Sequence, residues 1–389
     1  MKLRNFRRKF IKDFNIITGP GCKSRARQLF EISQLITRAY FTPGEYALYG
    51  FYRKDKNYSN MLRYISNSVL LDKILPALND PAWSVILENK WLFHLYYNNF
   101  NIPKPVLYGL YKNHGGVSTS GEPITSQNEL RQFLLKHRPP SLVIKPAGGW
   151  QGRNIYIIKK IIYNEEIQFQ TAGDKLLSYS EIIKHMETYG SYRFHHGFIL
   201  EKMLTQHTFL NEINPYTINH FRIVTLFNYE NKPRALFSAL YMGRRGRETS
   251  NINQGGIAID IDIENGVLGK GLSKLRYGRE TFTAHPDSGT EFTGVSIPFW
   301  KEIIEVAKDI ASLTPELRIV GWDIIYTPDG PVVVEGNPVF GIETPQASAN
   351  GYLNDNIRKE FRKFGINFPS DKLPCIHPVH FMKTLKRWI

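Results

Sequence analysis

The chain has 389 residues, of which 42% are hydrophobic and 22% charged, and a formal net charge of +15. It is long enough for two or three structural units around a sizeable core, and the balance fits a mixed α/β protein while excluding disordered, coiled-coil and disulfide-stapled small-protein classes. Cys22 and Cys375 stand far apart with no metal-type spacing, which predicts reduced thiols, no structural zinc and a cytoplasmic setting.

Residues 1 to 30 carry nine lysines and arginines against the single acid Asp13, and no apolar run reaches the length of a membrane helix. The expectation is a protein that is neither exported nor membrane-spanning, with a cationic arm for peripheral contact with an anionic membrane, at its inner face, or with an acidic polymer. Nucleic acid is not the expected partner. Leu29, Ile32, Leu35 and Ile36, then Met61, Leu62, Ile65, Val69 and Ile74, recur at helical spacing and predict helices over 27 to 40 and 58 to 76, broken at Thr42-Pro43-Gly44. Asp80-Pro81 opens a further helix that contains Lys90 and ends before Pro103. From residue 141 short strand-like runs take over: SLVIKP, NIYIIKK, EIQFQ and GFILEKM, with a helix near 178 to 188 among them. INHFRIVTLFN, RALFSALYM, GGIAIDIDI, a helix over about 297 to 312, and the pair LRIVGWDIIYT and PVVVEGN complete a second, larger β-rich lobe.

The last pair carries the strongest chemical signal. A hairpin centred on Asp329 sets Asp323 opposite Glu335, with Asn337 on the same face and Trp322, Ile324, Tyr326, Val332 and Val334 on the other, apolar one. Facing carboxylates have Cβ atoms about 5 Å apart and repel unless a cation lies between them. Two carboxylates and an amide suit Mg²⁺, which completes its shell with water and phosphate. A second constellation is Lys145 at a strand end, followed by a loop containing Gly148, Gly149 and Gly152; small residues let backbone N–H groups approach a phosphate that the ammonium neutralises. Glu201, Lys202 and Leu204 follow a strand, and Arg222, Arg244 and the run Ser250 to Gly256 form a cationic, amide-rich stretch. His195, His196, His207 and His220 show no metal spacing and read as structural histidines, and no Ser/His/Asp set for covalent catalysis is apparent.

As an ordered series over residues 86 to 345, these segments resemble the ATP-grasp superfamily of carboxylate-amine ligases, most closely its branch associated with sugar transfer. The resemblance implies an α+β ATP-grasp fold, two lobes gripping ATP. In this chain a basic helical region (1–85) and a helix plus pre-grasp segment (86–140) would precede a small lobe (141–204) and a large lobe (205–389). It implies that Lys90 and Lys145 bind phosphates, Gly148, Gly149 and Gly152 form the lid, and Glu201, Lys202 and Leu204 hold adenine. Glu212 is the candidate ribose ligand, although it lies off the family's usual spacing. Asp323, Glu335 and Asn337 would hold magnesium, taken as two ions, while Arg222, Arg244 and Asn251 would flank the transferred phosphate.

The activity so implied converts a carboxylate to an acyl phosphate with ATP and joins it to an amine or amino acid. The acid would be carbohydrate-linked, such as a uronic acid of a surface or capsular polysaccharide. Two alternatives use the same residues: a kinase acting on a hydroxyl, and a non-catalytic, nucleotide-gated module that grips a polyanion.

Overall fold

The computed structural model describes residues 16–149, 154–190, 197–274 and 280–369; the basic arm before residue 16, Gly152, His195, His196 and Cys375 lie outside them. The first helix, Arg25–Ala39, starts where its periodicity predicts and is capped by Ser24. Thr42-Pro43-Gly44 ends one helix and begins another, because Thr42 and Glu45 exchange side-chain to backbone hydrogen bonds in a capping box and Pro43 occupies the first turn of Pro43–Leu48. The single helix expected over 58 to 76 starts at Tyr58, capped by Asn57, but is divided into Tyr58–Met61, Asn67–Val69, a π turn at Leu70–Ile74, and Leu75–Leu78, since Ser66 caps a new start. Their apolar residues divide as well: Val69, Leu70 and Ile74 pack with Val224, Leu226 and Phe237 of the large lobe, and Met61 and Leu62 with Leu35, Phe41 and Phe51.

Asp80 caps Pro81–Glu88 as predicted, but the helix does not run on through Lys90. Asn89 takes an extended conformation and accepts from the N–H groups of Trp91 and Leu92, so Lys90 becomes the first residue of a new helix, Lys90–Tyr97. The break frees the Lys90 N–H to donate to Ala147 O at 2.7 Å.

The small lobe is an antiparallel sheet of β1 (Leu107–Tyr111), β2 (Val117–Ser118), β3 (Leu142–Pro146), β4 (Tyr156–Tyr163), β5 (Ile167–Thr171), β6 (Leu176–Ser178) and β7 (Phe198–Glu201), in the order β2-β1-β7-β3-β4-β5-β6. Its first two strands lie in the segment expected to precede the lobe, so the sheet begins at residue 107 and not at 141. The helices Gln127–His137 and Tyr179–Gly190 cover one face, burying Leu130, Phe133, Ile182 and Met186 against Ile144, Ile158 and Leu200. The first of these helices was legible in a capping box, Ser126 with Glu129, that hydrophobic spacing alone does not reveal.

The large lobe is a second antiparallel sheet: β8 (His220–Phe227), β9 (Pro233–Met242), β10 (Ile257–Ile261), β11 (Leu268–Ser273), β12 (Thr281–Phe282), β13 (Ile319–Thr327) and β14 (Gly330–Asn337), ordered β12-β11-β10-β9-β8-β13-β14. The helix Trp300–Ser312 packs its Ile303, Ala307 and Ile310 into the same core as Phe221, Ile259 and Trp322. Thr327 pairs with Gly330, so the β13–β14 turn is Pro328-Asp329 and is not centred on Asp329; a bulge beyond Ile324↔Val333 then restores Asp323↔Glu335 and Gly321↔Asn337. The expected carboxylate pairing therefore stands, while Val333 joins Trp322, Ile324 and Tyr326 in the core where Val332 and Val334 were expected.

Trp322 is fully buried and donates from Nε1 to Thr225 Oγ1 at 2.8 Å. Across the hairpin Gly336 has no room for a side chain, since a Cβ there would lie 2.6 Å from the Trp322 ring. Trp322→Ala is expected to cost about 3 to 5 kcal/mol in chemical denaturation, and Trp322→Phe about 1 kcal/mol more than the volume change alone for the lost hydrogen bond. A Trp322→Ala loss below about 1 kcal/mol would show that this ring does not anchor the hairpin.

Candidate active site

The two sheets face each other across a cleft of about 550 Å³. One end is apolar and drawn from both lobes: Val143, Ile155 and Ile157 from the small lobe, Ile325 and Val334 from the hairpin, and Leu204 from the connection between lobes. A flat heterocycle fits such walls. The connecting segment follows β7 directly, and the Lys202 N–H is already held by Val106 O at 2.8 Å. Glu201 and Lys202 also line the cleft, but the Glu201 carboxylate is not available to a base: Oε2 lies 2.8 Å from Lys145 Nζ and Oε1 2.7 Å from His94 Nε2. Any part Glu201 takes in holding a base therefore falls to its backbone. Burial alone would raise the Glu201 pKa, and the Lys145 charge with the His94 hydrogen bond outweighs it, holding the carboxyl below its ordinary value.

Beyond the apolar end the cleft is charged. Lys90, brought to the cleft by the helix break at Asn89, donates to Gly149 O at 3.2 Å and lies 3.5 Å from Glu335 Oε2. Asn89 and Gly148 form a bridge, so the start of this helix and the glycines after β3 are one hydrogen-bonded unit. Asp323 sits between β8 and β14: Arg222 is its partner on one side, in a two-point ion pair with Nη2 to Oδ2 at 2.8 Å, and Glu335 is its partner on the other. Asn337 Nδ2 lies 3.4 Å from Asp323 and 3.5 Å from Glu335. Burial opposes ionisation of Glu335, yet Lys90 and then Lys145 pull its pKa down to about 2.

This donor set fits a hard divalent cation. Two carboxylates and one amide supply oxygen ligands from adjacent strands, and turning the Asn337 amide by half a rotation exchanges its NH₂ for its oxygen toward the carboxylates. Arg222 and Lys90 balance the two carboxylates from either side.

The other expected residues divide. Asn251 lines the cleft, and its Oδ1 accepts from the Asn253 N–H at 2.8 Å. The turn that follows requires glycine: Gly255 has φ +100°, and a Cβ on Gly256 would lie 2.6 Å from Ser250 O. Arg244 is not among the residues lining the cleft; its guanidinium makes a two-point pair with Asp287 at 2.7 and 2.8 Å. Glu212 is exposed on the short helix Thr208–Ile213, away from the cleft, so it is not placed to hold a ribose. Of the histidines, His207 caps that helix as a structural residue, whereas His220 lines the cleft, stacked on Tyr241 at 4.9 Å with Nε2 3.8 Å from Asp323. Burial, and secondarily Arg222, lowers its pKa against the pull of Asp323. His220 was readable as the neighbour of Arg222 two residues along one strand face, and His94 as one helical turn beyond Lys90.

Two antiparallel sheets closing on a cleft, with a lysine from each side of the glycine segment and an Asp-Glu-Asn set on the terminal hairpin, define the ATP-grasp fold. Residues 71–359 match the sugar-transfer associated ATP-grasp family, and the chain belongs to it. No curated protein matches the sequence. Among solved structures it is similar to the D-alanine-D-alanine ligase from Coxiella burnetii, at 13% identity and a TM-score of 0.35 over 78% of this chain and 58% of that one. A biotin carboxylase from Campylobacter jejuni gives 11% identity and a TM-score of 0.41 over 74% and 48%, and the phosphoribosylamine–glycine ligase from Thermotoga maritima 12% and 0.41 over 76% and 57%. The chain thus spans less than two thirds of each. Among the described residues no helix is long and apolar enough to cross a membrane.

Two outcomes are expected from this geometry. Glu335→Gln and Asp323→Asn each lower ATP turnover at least ~100-fold, as removal of a preorganised charge does; Asp323→Asn also costs about 1 to 3 kcal/mol of stability because Arg222 loses its buried partner. Turnover within about twofold of the parent for both would remove the metal assignment. In carboxyl NMR titration, Lys90→Met should move the Glu335 pKa upward from about 2, since the ammonium holds it down; an unmoved value would contradict the Lys90–Glu335 coupling.

Proposed function

We propose that the chain is an ATP-dependent carboxylate–amine ligase. The observation that carries the reading is one cleft lined by Lys90, Lys145 and the Asp323–Glu335–Asn337 set together with a further cation and a further carboxylate. These are Lys274, which donates to Asn253 Oδ1 at 2.6 Å, and half-buried Glu343, a carboxylate with no hydrogen bond or ion pair among the described residues. An acid and an amine call for charges of both signs in such a lining.

In this reading adenine lies between the Val143–Ile157 and Ile325–Val334 walls and is recognised by the backbone of the 202 to 204 connection. The phosphates lie against Lys90, Lys145 and the N–H groups of the glycine segment. Asp323, Glu335 and Asn337 would hold magnesium, taken as two ions, which would supply charge neutralisation at the phosphates. A carboxylate oxygen attacks the γ-phosphorus as its bond to the β-phosphate oxygen breaks, giving an acyl phosphate and ADP. The amine nitrogen then attacks the acyl carbon, loses a proton and expels phosphate, leaving an amide. Arg222 and the amides around Asn251 offset charge on the transferring group and on the tetrahedral oxyanion. The family's association with sugar transfer supports a carbohydrate-linked acid, such as a uronic acid of a cell-surface polysaccharide, and the basic residues before position 16 support peripheral contact with an anionic membrane or polymer at the cytoplasmic face.

A screen of ADP release over sugar acids, with hydroxylamine in place of the amine, tests the reaction class. An acid that supports ADP release is expected to yield a hydroxamate, because the acyl phosphate is trapped. A stable phosphate ester with no hydroxamate would replace the ligase reading with the kinase one.

A further inference from the structure

His94 belongs to no part of the chemistry above, yet it is buried beside it. Its side chain is 3% exposed, and its Nε2 lies 2.7 Å from Glu201 Oε1. An ionised carboxylate only accepts hydrogen bonds, so Nε2 carries the donated hydrogen. The other Glu201 oxygen holds Lys145 Nζ at 2.8 Å. Lys145 and Glu201 are set by the sheet itself: Val143 pairs with Glu201 and Lys145 with Ile199, so the two side chains are diagonal neighbours on adjacent strands.

Lys90 is held differently. It is the first residue of the helix Lys90–Tyr97, outside the sheet. Phe93 and Tyr97 fix that helix in the large-lobe core, with Tyr97 Oη 3.1 Å from Thr314 Oγ1, whereas toward β3 it is held at its first turn, by Lys90 N–H to Ala147 O, the Asn89–Gly148 bridge and Lys90 Nζ to Gly149 O. His94 lies one turn further on the same helix and adds a polar contact to β7. The chain of contacts Lys90, His94, Glu201, Lys145 therefore ties the helix-borne lysine to the sheet-borne one.

We propose that His94 is a positioning residue for nucleotide phosphates: acting through Glu201, it fixes the separation and direction of Lys90 relative to Lys145. The inference rests on the reading that both lysines meet the phosphates of ATP. Without the His94 donor, Glu201 Oε1 is left buried and unpaired, which favours rotation of the carboxylate onto Lys145 with both oxygens. Lys145 is then held from the phosphates more firmly, and the helix bearing Lys90 loses its polar contact to β7. Both effects fall on phosphate binding and neither on the apolar end of the cleft.

The test compares Mg-ATP with adenosine, which lacks phosphates, by isothermal titration calorimetry on the full chain. His94→Leu is expected to weaken Mg-ATP at least ~10-fold while adenosine binding stays within about twofold, and His94→Gln, whose amide retains a donor at similar reach, is expected to recover most of the loss. If His94→Leu does not fold, His94→Asn, polar but too short to reach Glu201, should give the same split. On a Lys90→Met background His94→Asn should add little, since both changes act on one unit. Equal weakening of ATP and adenosine, no weakening of either, or failure of Gln to rescue would overturn the positioning role. A parent protein that binds adenosine but gains nothing from the phosphates would instead overturn the ATP reading, and the role of His94 with it.

Discussion

Asp323 and Glu335 face each other on adjacent strands, and the repulsion between them is the constraint around which the cleft is organised. Two carboxylates at that spacing, Asp323 buried and Glu335 half-buried, require cations, and the fold brings one from each direction. Arg222 comes from the neighbouring strand β8, and Lys90 from the far side of the cleft. Each cation has its own structural cause. Arg222 is opposite Asp323 in the sheet register, whereas Lys90 reaches Glu335 only because Asn89 stops one helix and starts another.

The same logic extends into the small lobe. Glu201 is buried with Lys145 and His94, so three of the cleft cations, Lys90, Lys145 and Arg222, meet three of its carboxylates, Glu201, Asp323 and Glu335. A site with balanced charge in the absence of ligand can accept a polyanion with its divalent counter-ion without leaving a buried charge unpaired. The N-terminal helices serve this arrangement from outside. Gln346, fully buried, accepts from the Ile65 N–H at 2.9 Å and donates to Ile65 O at 2.7 Å and Tyr49 Oη at 2.6 Å. That clamp holds the helix Glu343–Ser348, and with it Glu343, in the lining of the cleft.

Much of the site could be read before the fold because its residues lie on strands with a period of two. Asp323, Glu335 and Asn337 follow from alternation around one turn, and even a displaced turn left their pairing intact because a bulge compensates. Lys145 and its glycines follow from a strand end. What pattern did not reveal was side-chain partnership across distant segments. Arg244 looked like a phosphate ligand, but Asp287, 43 residues away, takes its guanidinium; Glu201 looked like an adenine ligand, but His94, 107 residues away, takes one of its oxygens. Helix boundaries failed for a local reason. Ser66 and Asn89 are caps inside apolar periodicities, and a cap overrides a periodicity that would otherwise read as one long helix.

Whether the Asp323–Glu335–Asn337 set and the two lysines together hold a metal-bound nucleotide is read most directly from a crystal structure with a non-hydrolysable ATP analogue and Mn²⁺, located by its anomalous scattering. A metal peak is expected about 2 Å from oxygens of Asp323, Glu335 and Asn337, with phosphates against Lys90 and Lys145 and the base between Val143 and Ile325. A nucleotide bound elsewhere, or a metal peak remote from all three side chains, would contradict it.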